Sequence, residues 1–287
     1  MDVSVIIPAL NAADTIEEQL RALSAQQYDG DFEVLVVDNG STDRTAELVT
    51  AYATHDSRVR LVDGATRPRN GGAARNIGVG HALAQSLVFC DADDVVDVRW
   101  LAALADGLAT SPVVTSTLEF WRLNRRLLHR TTPQVLGPYR VLGYAGIPGG
   151  AFGMRRDTYL DVGGFDPGFP GANDSEFAVR VGLAGYHVQH RDDAVVHVRL
   201  RATARQQFVR ARELRSSIEH IRESQGFSPR SRGTVTRRVL VFGRDLAKGA
   251  IFALHPHGRG AWAQLAGEAC ADLELLARSI RPRPRGG

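Results

Sequence analysis

The feature that most constrains the fold is a unit that recurs near the start of the chain, a short apolar run followed by a helical segment. Residues 3–8 (VSVIIP) form the first run, and a capping box at Asp14 and Glu17 predicts a helix to about residue 26. Residues 33–38 (EVLVVD) repeat the run, and a second helix is predicted to about residue 54. Alternating strands and helices predict a mainly parallel α/β sheet with helices on both faces.

The same pattern continues to about residue 118. Residues 58–62 and 86–90 predict a third and a fourth strand, with a turn at Asn70-Gly71-Gly72 that leads into the helix between them. A helix at 98–109 and a strand at 113–118 follow. Prolines and glycines predict a loop up to Gly149-Gly150, and helical periodicity returns from residue 204. In such sheets ligands bind beyond the carboxyl ends of the strands.

A cluster of acidic residues lies directly after the fourth predicted strand, at Asp91-Ala92-Asp93-Asp94. Closely spaced carboxylates repel one another unless a cation or hydrogen-bond donors neutralise them. Mg²⁺ or Mn²⁺ held by one or two carboxylates keeps open positions for phosphate oxygens. The pattern therefore indicates a divalent metal site, and the alternative is an acidic loop that precedes the next helix.

Several enzyme classes are excluded by the motifs that they require. Residues 8–13 read PALNAA where a dinucleotide-binding fold needs G-x-G-x-x-G, and Lys248 is the only lysine, so no G-x-x-x-x-G-K-[ST] phosphate loop exists. No G-x-S-x-G segment supports a serine hydrolase. Cys90 and Cys270 lie far apart, with no spacing typical of a disulfide framework or a zinc site, which favours a reducing cytoplasm.

Six short segments together resemble glycosyltransferase family 2, whose members share the fold called GT-A. They read SVIIPALN (4–11), VVDNGSTD (36–43), GAARNIG (72–78), DADD (91–94), GGFD (163–166) and NDSEFAVR (173–180). They occur in the family's order within about residues 1–200, which makes the set more specific than any one of them. The resemblance implies a GT-A fold of Rossmann-like, mostly parallel mixed sheet flanked by helices, with a C-terminal helical extension.

The resemblance also implies a nucleotide-sugar site. The matching positions are Pro8, Ala9, Asn11, Asp38, Asn39, Arg75, Asp91, Ala92 and Asp93. Within this set Asp91 is expected to face the ribose and Asp93 the Mn²⁺ or Mg²⁺ ion. Asn39 replaces an aspartate that is common in the family, and its amide can both accept and donate, which leaves uracil, thymine or guanine open as the base.

Other positions match the family's metal and acceptor side. His197 corresponds to a further metal ligand, with His187 and His190 as competitors, and Asp94 and Asp91 are additional candidates. The resemblance assigns Asp174 as the catalytic base, which implies inversion at the anomeric carbon, and the alternative is an N-terminal helix cap. The resemblance also places Gly149 and Gly150 beside the acceptor.

The implied function is metal-dependent transfer of a sugar from a nucleotide diphosphate to an acceptor, such as a lipid-linked or cell-envelope glycan in polysaccharide biosynthesis. A sugar-nucleotide pyrophosphorylase is the alternative enzyme, but it is expected to carry a glycine-rich basic loop after the first strand, which is absent. The third possible function is that of a non-catalytic module that binds a sugar or a protein partner.

Charge divides the chain at about residue 200. Residues 1–198 hold 17 basic and 25 acidic residues, a net charge of −8, whereas residues 199–287 carry a net charge of +11. We therefore expect a glycosyltransferase domain at 1–200 and a basic amphipathic helical extension at 201–287. Such an extension can bind an anionic membrane surface, or it can simply pack with its arginines in water. The expected location is the cytoplasm, with peripheral attachment to the inner face of the membrane as a hypothesis, and no nucleic-acid partner is expected.

Overall fold

A computed structural model describes residues 1–65, 70–125, 135–169, 171–200, 203–227, 268 and 270–271. The strands are β1 Val3–Ala9, β2 Phe32–Asp38, β3 Val59–Asp63, β4 Ser86–Cys90, β5 Val95–Val96, β6 Val113–Glu119, β7 Val135–Leu136, β8 Arg140–Val141, β9 Tyr144–Ala145, β10 Ala151–Arg155 and β11 Val188–His197. The helices are α1 Ile16–Ser24, α2 Thr45–Ala53, α3 Gly71–His81, α4 Trp100–Thr110, α5 Arg156–Asp161, α6 Asn173–Leu183 and α7 Ala204–Ser224, with a 3₁₀ turn at Arg122–Asn124.

The main sheet is mixed but mostly parallel, as predicted. Its strand order is β3-β2-β1-β4-β10-β6-β11-β5, and β7 pairs with β6. The strands β3, β2, β1 and β4 run parallel, and β10 is antiparallel to both β4 and β6. The carboxyl ends of β1, β2 and β4 therefore meet at one edge, because parallel strands point the same way. The separate hairpin β8–β9 and strand β7 lie in the segment that the sequence analysis expected to be loop.

Each face of the sheet has its own buried core, as the two-residue side-chain period of β1 requires. Val5 and Ile7 of β1 face α1, α2 and α4, where Trp100 is fully buried. Ile6 faces the opposite side, where α3, α5 and α6 pack through an aromatic group. The members of this aromatic group are Phe89, Phe152, Tyr159, Phe165 and Phe177. Burial on both faces explains why these strands read as continuous apolar runs.

The predicted capping box at the start of α1 is wrong. The helix begins at Ile16, its N-cap is Thr15, and no side chain caps it. Asp14 lies one position too early, because the chain closes a turn in which Thr15 N–H donates to the Ala12 carbonyl at 3.0 Å. Asn70 of the predicted turn caps the N-terminus of α3, because its Oδ1 accepts from the Ala73 N–H at 2.8 Å.

The chain divides into two compact units, of which the first comprises residues 1–125, 129–169 and 173–200 and the second includes residues 201–287. The described helix of the second unit is α7, where Ala211, Ser217 and Ile221 are buried. The domain boundary near residue 200 stays a prediction. In the part of the chain that the structure describes, no helix has the length and apolar character needed to span a bilayer.

Truncation of the aromatic group should test this core. Phe152 is fully buried and stacks on Phe89 with ring centroids 4.4 Å apart. We expect Phe152→Ala to lower the free energy of unfolding by about 3–5 kcal/mol, because burial is lost and a cavity remains. Chemical denaturation measures this change. Leu83→Ala is the control, since that side chain is 67% exposed and should change stability by less than about 0.5 kcal/mol. Equal effects of the two substitutions would contradict this description of the core.

Candidate active site

The three acidic side chains after β4 converge, in a segment that we call the acid loop (residues 91–94). Carboxylate oxygens of Asp91, Asp93 and Asp94 lie within 4.8 Å of one another, and this is the one group of three or more potential metal ligands found among the described residues. Asp93 is exposed and Asp94 is buried. Burial, followed by the negative charges of Asp91 and Asp93, raises the pKa of Asp94 to about 8. The crowding that the sequence suggested is therefore present in three dimensions.

Arg75 approaches the acid loop from α3. Its Nη2 donates to Asp91 Oδ1 at 2.5 Å, and its guanidinium carbon lies 5.4 Å from the centroid of the Phe165 ring. The side chain is only 10% exposed. Its Nε finds no hydrogen-bond partner among the described residues. A buried guanidinium that is bonded on one side only leaves donor capacity at the site.

Two glycines allow the chain to pass close to these side chains. A Cβ atom added to Gly150 would collide with the Asp91 carboxylate. One added to Gly149 would lie 3.3 Å from Asp174 Cβ and 3.4 Å from Arg75 Cζ. The close approach explains why both positions are glycine. It also shows that Arg75, Asp91 and Asp174 are neighbours.

Asp174 lies in the first turn of α6, and its carboxylate Oδ1 accepts from the Ser175 N–H at 2.7 Å. The side chain is half-buried. The positive end of the helix dipole favours a carboxylate at this position. Asp174 therefore lies beside Gly149 with one carboxylate oxygen bonded to the main chain.

The ends of β1 and β2 form the neighbouring part of the site. Ala9 pairs with Asp38 across the two strands, and the Asn39 N–H donates to the Ala9 carbonyl at 2.8 Å. Asn11 adopts a positive φ of 51° and its Oδ1 accepts from the Thr42 N–H at 2.8 Å. The two strand ends are thereby tied to each other. Pro8 is half-buried and Ala92 is buried.

The Asn39 side chain is buried, with only 3% of its surface exposed. Its Nδ2 donates to the Asn70 carbonyl at 3.3 Å, while its Oδ1 has no partner within the described ranges. An unsatisfied buried acceptor costs free energy, so this oxygen marks a position where a donor is missing.

His197 is buried near the acid loop but does not join the group of three carboxylates. Its Nδ1 lies 2.8 Å from Glu119 Oε2, its Nε2 lies 2.9 Å from Arg122 Nη1, and Asp97 Oδ2 is 3.7 Å from Nε2. In the tautomer that fits these contacts, Nδ1 donates to Glu119 and Nε2 accepts from Arg122. Of the competing histidines, His190 bonds to Thr115 and Thr117. Neither Glu119 nor Arg122 was identified from the sequence, where both look like ordinary charged residues.

Two further contacts to the acid loop also escaped the sequence analysis. Gln19 of α1 is fully buried; its Nε2 donates to the Asp91 carbonyl at 3.1 Å and its Oε1 accepts from the Val96 N–H at 3.1 Å. Arg199 donates from its main chain to Asp94 Oδ1 at 2.8 Å and from Nε to the Asp93 carbonyl at 2.9 Å. The signal for Gln19 was a polar residue on the apolar face of an amphipathic helix.

Comparisons with known proteins agree with this architecture. The sequence profile of the family described as Glycosyl transferase family 2 matches residues 4–159. The chain is 29% identical over 206 residues to the succinoglycan biosynthesis protein ExoA of Rhizobium meliloti, which covers 66% of this chain and 60% of that protein. It is 30% identical over 202 residues to the glycosyltransferase AglE of Haloferax volcanii, covering 67% of this chain and 65% of the relative. These matches span less than two thirds of each relative's length.

Solved structures show the same fold. A mannosyltransferase of Pyrobaculum calidifontis, in complex with GDP-Man and Mn²⁺, superposes with a TM-score of 0.66 at 22% identity, covering 97% of this chain and 88% of that one. TarS 1-349 of S. aureus in complex with UDP-GlcNAc gives a TM-score of 0.58 at 18% identity, covering 99% and 93%. The GT-A fold expected from the sequence is confirmed. With more than half of its length matched by the family profile, the chain belongs to glycosyltransferase family 2.

Proposed function

We propose that this protein transfers a sugar from a nucleoside diphosphate donor to an acceptor hydroxyl, with a divalent metal and with inversion at the anomeric carbon. The observation that carries the proposal is the meeting of Arg75, Asp174 and the acid loop at the carboxyl edge of the sheet. Membership of the family supports the reaction class. Two similar structures are complexes with GDP-Man and with UDP-GlcNAc, which supports the donor class.

The donor end of the site would lie at β1, β2 and β4. Pro8, Ala9, Asn11, Asp38 and Asn39 occupy the neighbouring ends of β1 and β2, where a base and ribose would bind. Arg75 supplies a cation, and its unpaired Nε gives it a further donor for an anionic ligand. Asp91 and Ala92 would line the ribose side.

The acid loop fits a hard divalent cation. Its ligands are carboxylate oxygens, which Mn²⁺ and Mg²⁺ prefer, and burial together with the charges of Asp91 and Asp93 raises the pKa of Asp94. Asp93 is the exposed member and the proposed principal ligand, with Asp91 and Asp94 beside it. His197 would join only if its Nε2 left Arg122, since that nitrogen already accepts a hydrogen bond. A bound divalent cation would act as a Lewis acid that stabilises the charge developing on the diphosphate leaving group.

Asp174 is the proposed general base. It is a half-buried carboxylate beside Gly149, and the family resemblance puts Gly149 and Gly150 on the acceptor side. The base would take the proton of the acceptor hydroxyl as that oxygen attacks the anomeric carbon. Attack by the acceptor itself, without a covalent enzyme intermediate, gives inversion. A glycan or lipid-linked acceptor in polysaccharide biosynthesis is the proposed class, supported by the name of the succinoglycan relative.

The donor and the metal can be tested together. Nucleoside diphosphate release from UDP-, GDP- and dTDP-sugars is expected to need Mn²⁺ or Mg²⁺ and to stop in EDTA. Mn²⁺ at about 100 times its Kd should raise the free energy of unfolding by about 2.7 kcal/mol. Asp93→Ala should lose most of this stabilisation and most turnover. Asp29→Asn removes an exposed carboxylate elsewhere and should behave as the wild type. Full activity in EDTA would contradict the metal role, and release of pyrophosphate would favour a pyrophosphorylase.

Asp174→Asn keeps the shape of the side chain and removes its basicity. We expect kcat to fall by about 10²- to 10⁴-fold, the usual contribution of a general base, with little change in donor KM or thermal stability. Asp157→Asn is a matched control, because Asp157 also lies in the first turn of a helix and accepts from the next N–H, that of Thr158, at 2.6 Å. A variant at Asp174 with wild-type kcat would remove Asp174 from the mechanism.

Peripheral membrane binding by residues 201–287 is a separate hypothesis, and most of that segment lies outside the described residues. In α7, Val209 and Leu214 are exposed large apolar side chains, and Arg205 and Arg212 are exposed basic ones. Basic amphipathic helices bind anionic bilayers through both kinds of contact. We expect the protein to float with anionic vesicles at low salt and to dissociate at high salt. Failure to float with anionic vesicles, or equal binding to neutral ones, would argue against this attachment.

A further inference from the structure

The acid loop holds three carboxyl groups close together, and the structure shows contacts that restrain it. Gln19 of α1 binds both flanks of the loop, through the Asp91 carbonyl and the Val96 N–H. These contacts fix where the loop begins and ends. They do not reach Asp93, the exposed residue that is the proposed principal ligand.

Arg199 contacts both Asp93 and Asp94. Its Nε donates to the Asp93 carbonyl at 2.9 Å, and its main-chain N–H donates to Asp94 Oδ1 at 2.8 Å. Both contacts come from one residue, two positions after the end of β11. Since the contact to Asp93 uses the main-chain oxygen, it orients the residue without occupying its carboxylate through that bond.

The Arg199 guanidinium is itself held by α1. Its Nη2 lies 2.7 Å from Glu18 Oε2, next in sequence to Gln19. Glu18 and Arg199 are 48% and 32% exposed, and an ion pair so exposed stabilises a fold by only about 0–1 kcal/mol. Stability therefore gives little reason for this arrangement, whereas the same guanidinium donates directly to the main chain of the acid loop.

We propose that Arg199, fixed by Glu18, is a positioning residue that holds Asp93 and Asp94 in the arrangement that binds a divalent cation. The inference rests on the proposed function only in taking the acid loop as the cation site. A fixed guanidinium also offsets part of the repulsion among the carboxylates while the cation is absent. Arg199 contacts neither donor nor acceptor in this proposal.

The experiment measures Mn²⁺ binding to the full chain without nucleotide, by electron paramagnetic resonance of free Mn²⁺. Arg199→Met keeps the length of the stem and the main-chain donor but removes Nε and the charge. We expect it to raise the Kd for Mn²⁺ about 10-fold, the lower end of the effect seen when a group that orients metal ligands is lost. Glu18→Gln, which leaves Arg199 in place but loosens it, should raise the Kd by less. Turnover by Arg199→Met should recover at saturating Mn²⁺.

Arg21→Met is the matched control. Arg21 lies on α1, the helix that carries Glu18, and pairs with Glu17 at 3.0 Å on an exposed surface. Its loss should leave the Kd for Mn²⁺ unchanged. Wild-type Mn²⁺ affinity in Arg199→Met, or an equal loss in Arg21→Met, would overturn the proposal. If Arg199→Met does not fold, an unchanged Kd in Glu18→Gln would overturn it.

These outcomes separate the two proposals. If no nucleotide-sugar is turned over but Arg199→Met still weakens Mn²⁺ binding, the proposed function fails and the positioning role stands. If turnover requires Mn²⁺ and Arg199→Met binds the ion as the wild type does, only the positioning role fails.

Discussion

The site depends on one electrostatic constraint, the placement of three carboxylates at the end of a buried strand. Each carboxylate meets the constraint differently. Asp91 pairs with Arg75, Asp94 is buried with its pKa raised to about 8, and Asp93 is exposed while its main-chain oxygen accepts from Arg199. The ion pair and the raised pKa each lower the repulsion within the set. Under the proposed function a divalent cation would lower it further, and Asp93, the exposed member, is the one that a ligand can reach first.

The sheet topology explains how distant segments meet at that point. Strand β10 returns antiparallel beside β4, with Ala151 opposite Cys90, so Gly150 must pass next to Asp91. A side chain there would displace the carboxylate from Arg75, which is why glycine is required. The same return brings Gly149 against Asp174. The geometry of the proposed donor site and of the proposed general base therefore depends on one strand pairing, that of β10 with β4.

Sequence periodicity predicted β1 to β4 and the intervening helices, because strands buried on both faces read as apolar runs. It did not predict β10, whose five residues (AFGMR) follow two glycines, or most of β11, which carries His190 and Arg191 and a register shift after Arg191. Family motifs located the acids, Arg75 and both glycines. They could not reveal Gln19, Glu18 or Arg199, since these contacts join segments far apart in sequence and follow no spacing rule.

Asn39 illustrates how a departure from the family pattern can preserve its chemistry. The Asn70 carbonyl lies 3.3 Å from Asn39 Nδ2, so an aspartate at this position would set two acceptors against each other. The asparagine satisfies that carbonyl with its nitrogen, and this bond fixes its oxygen as the remaining acceptor. Under the proposed function, a base with a ring N–H, such as uracil, thymine or guanine, would supply the donor that this oxygen lacks.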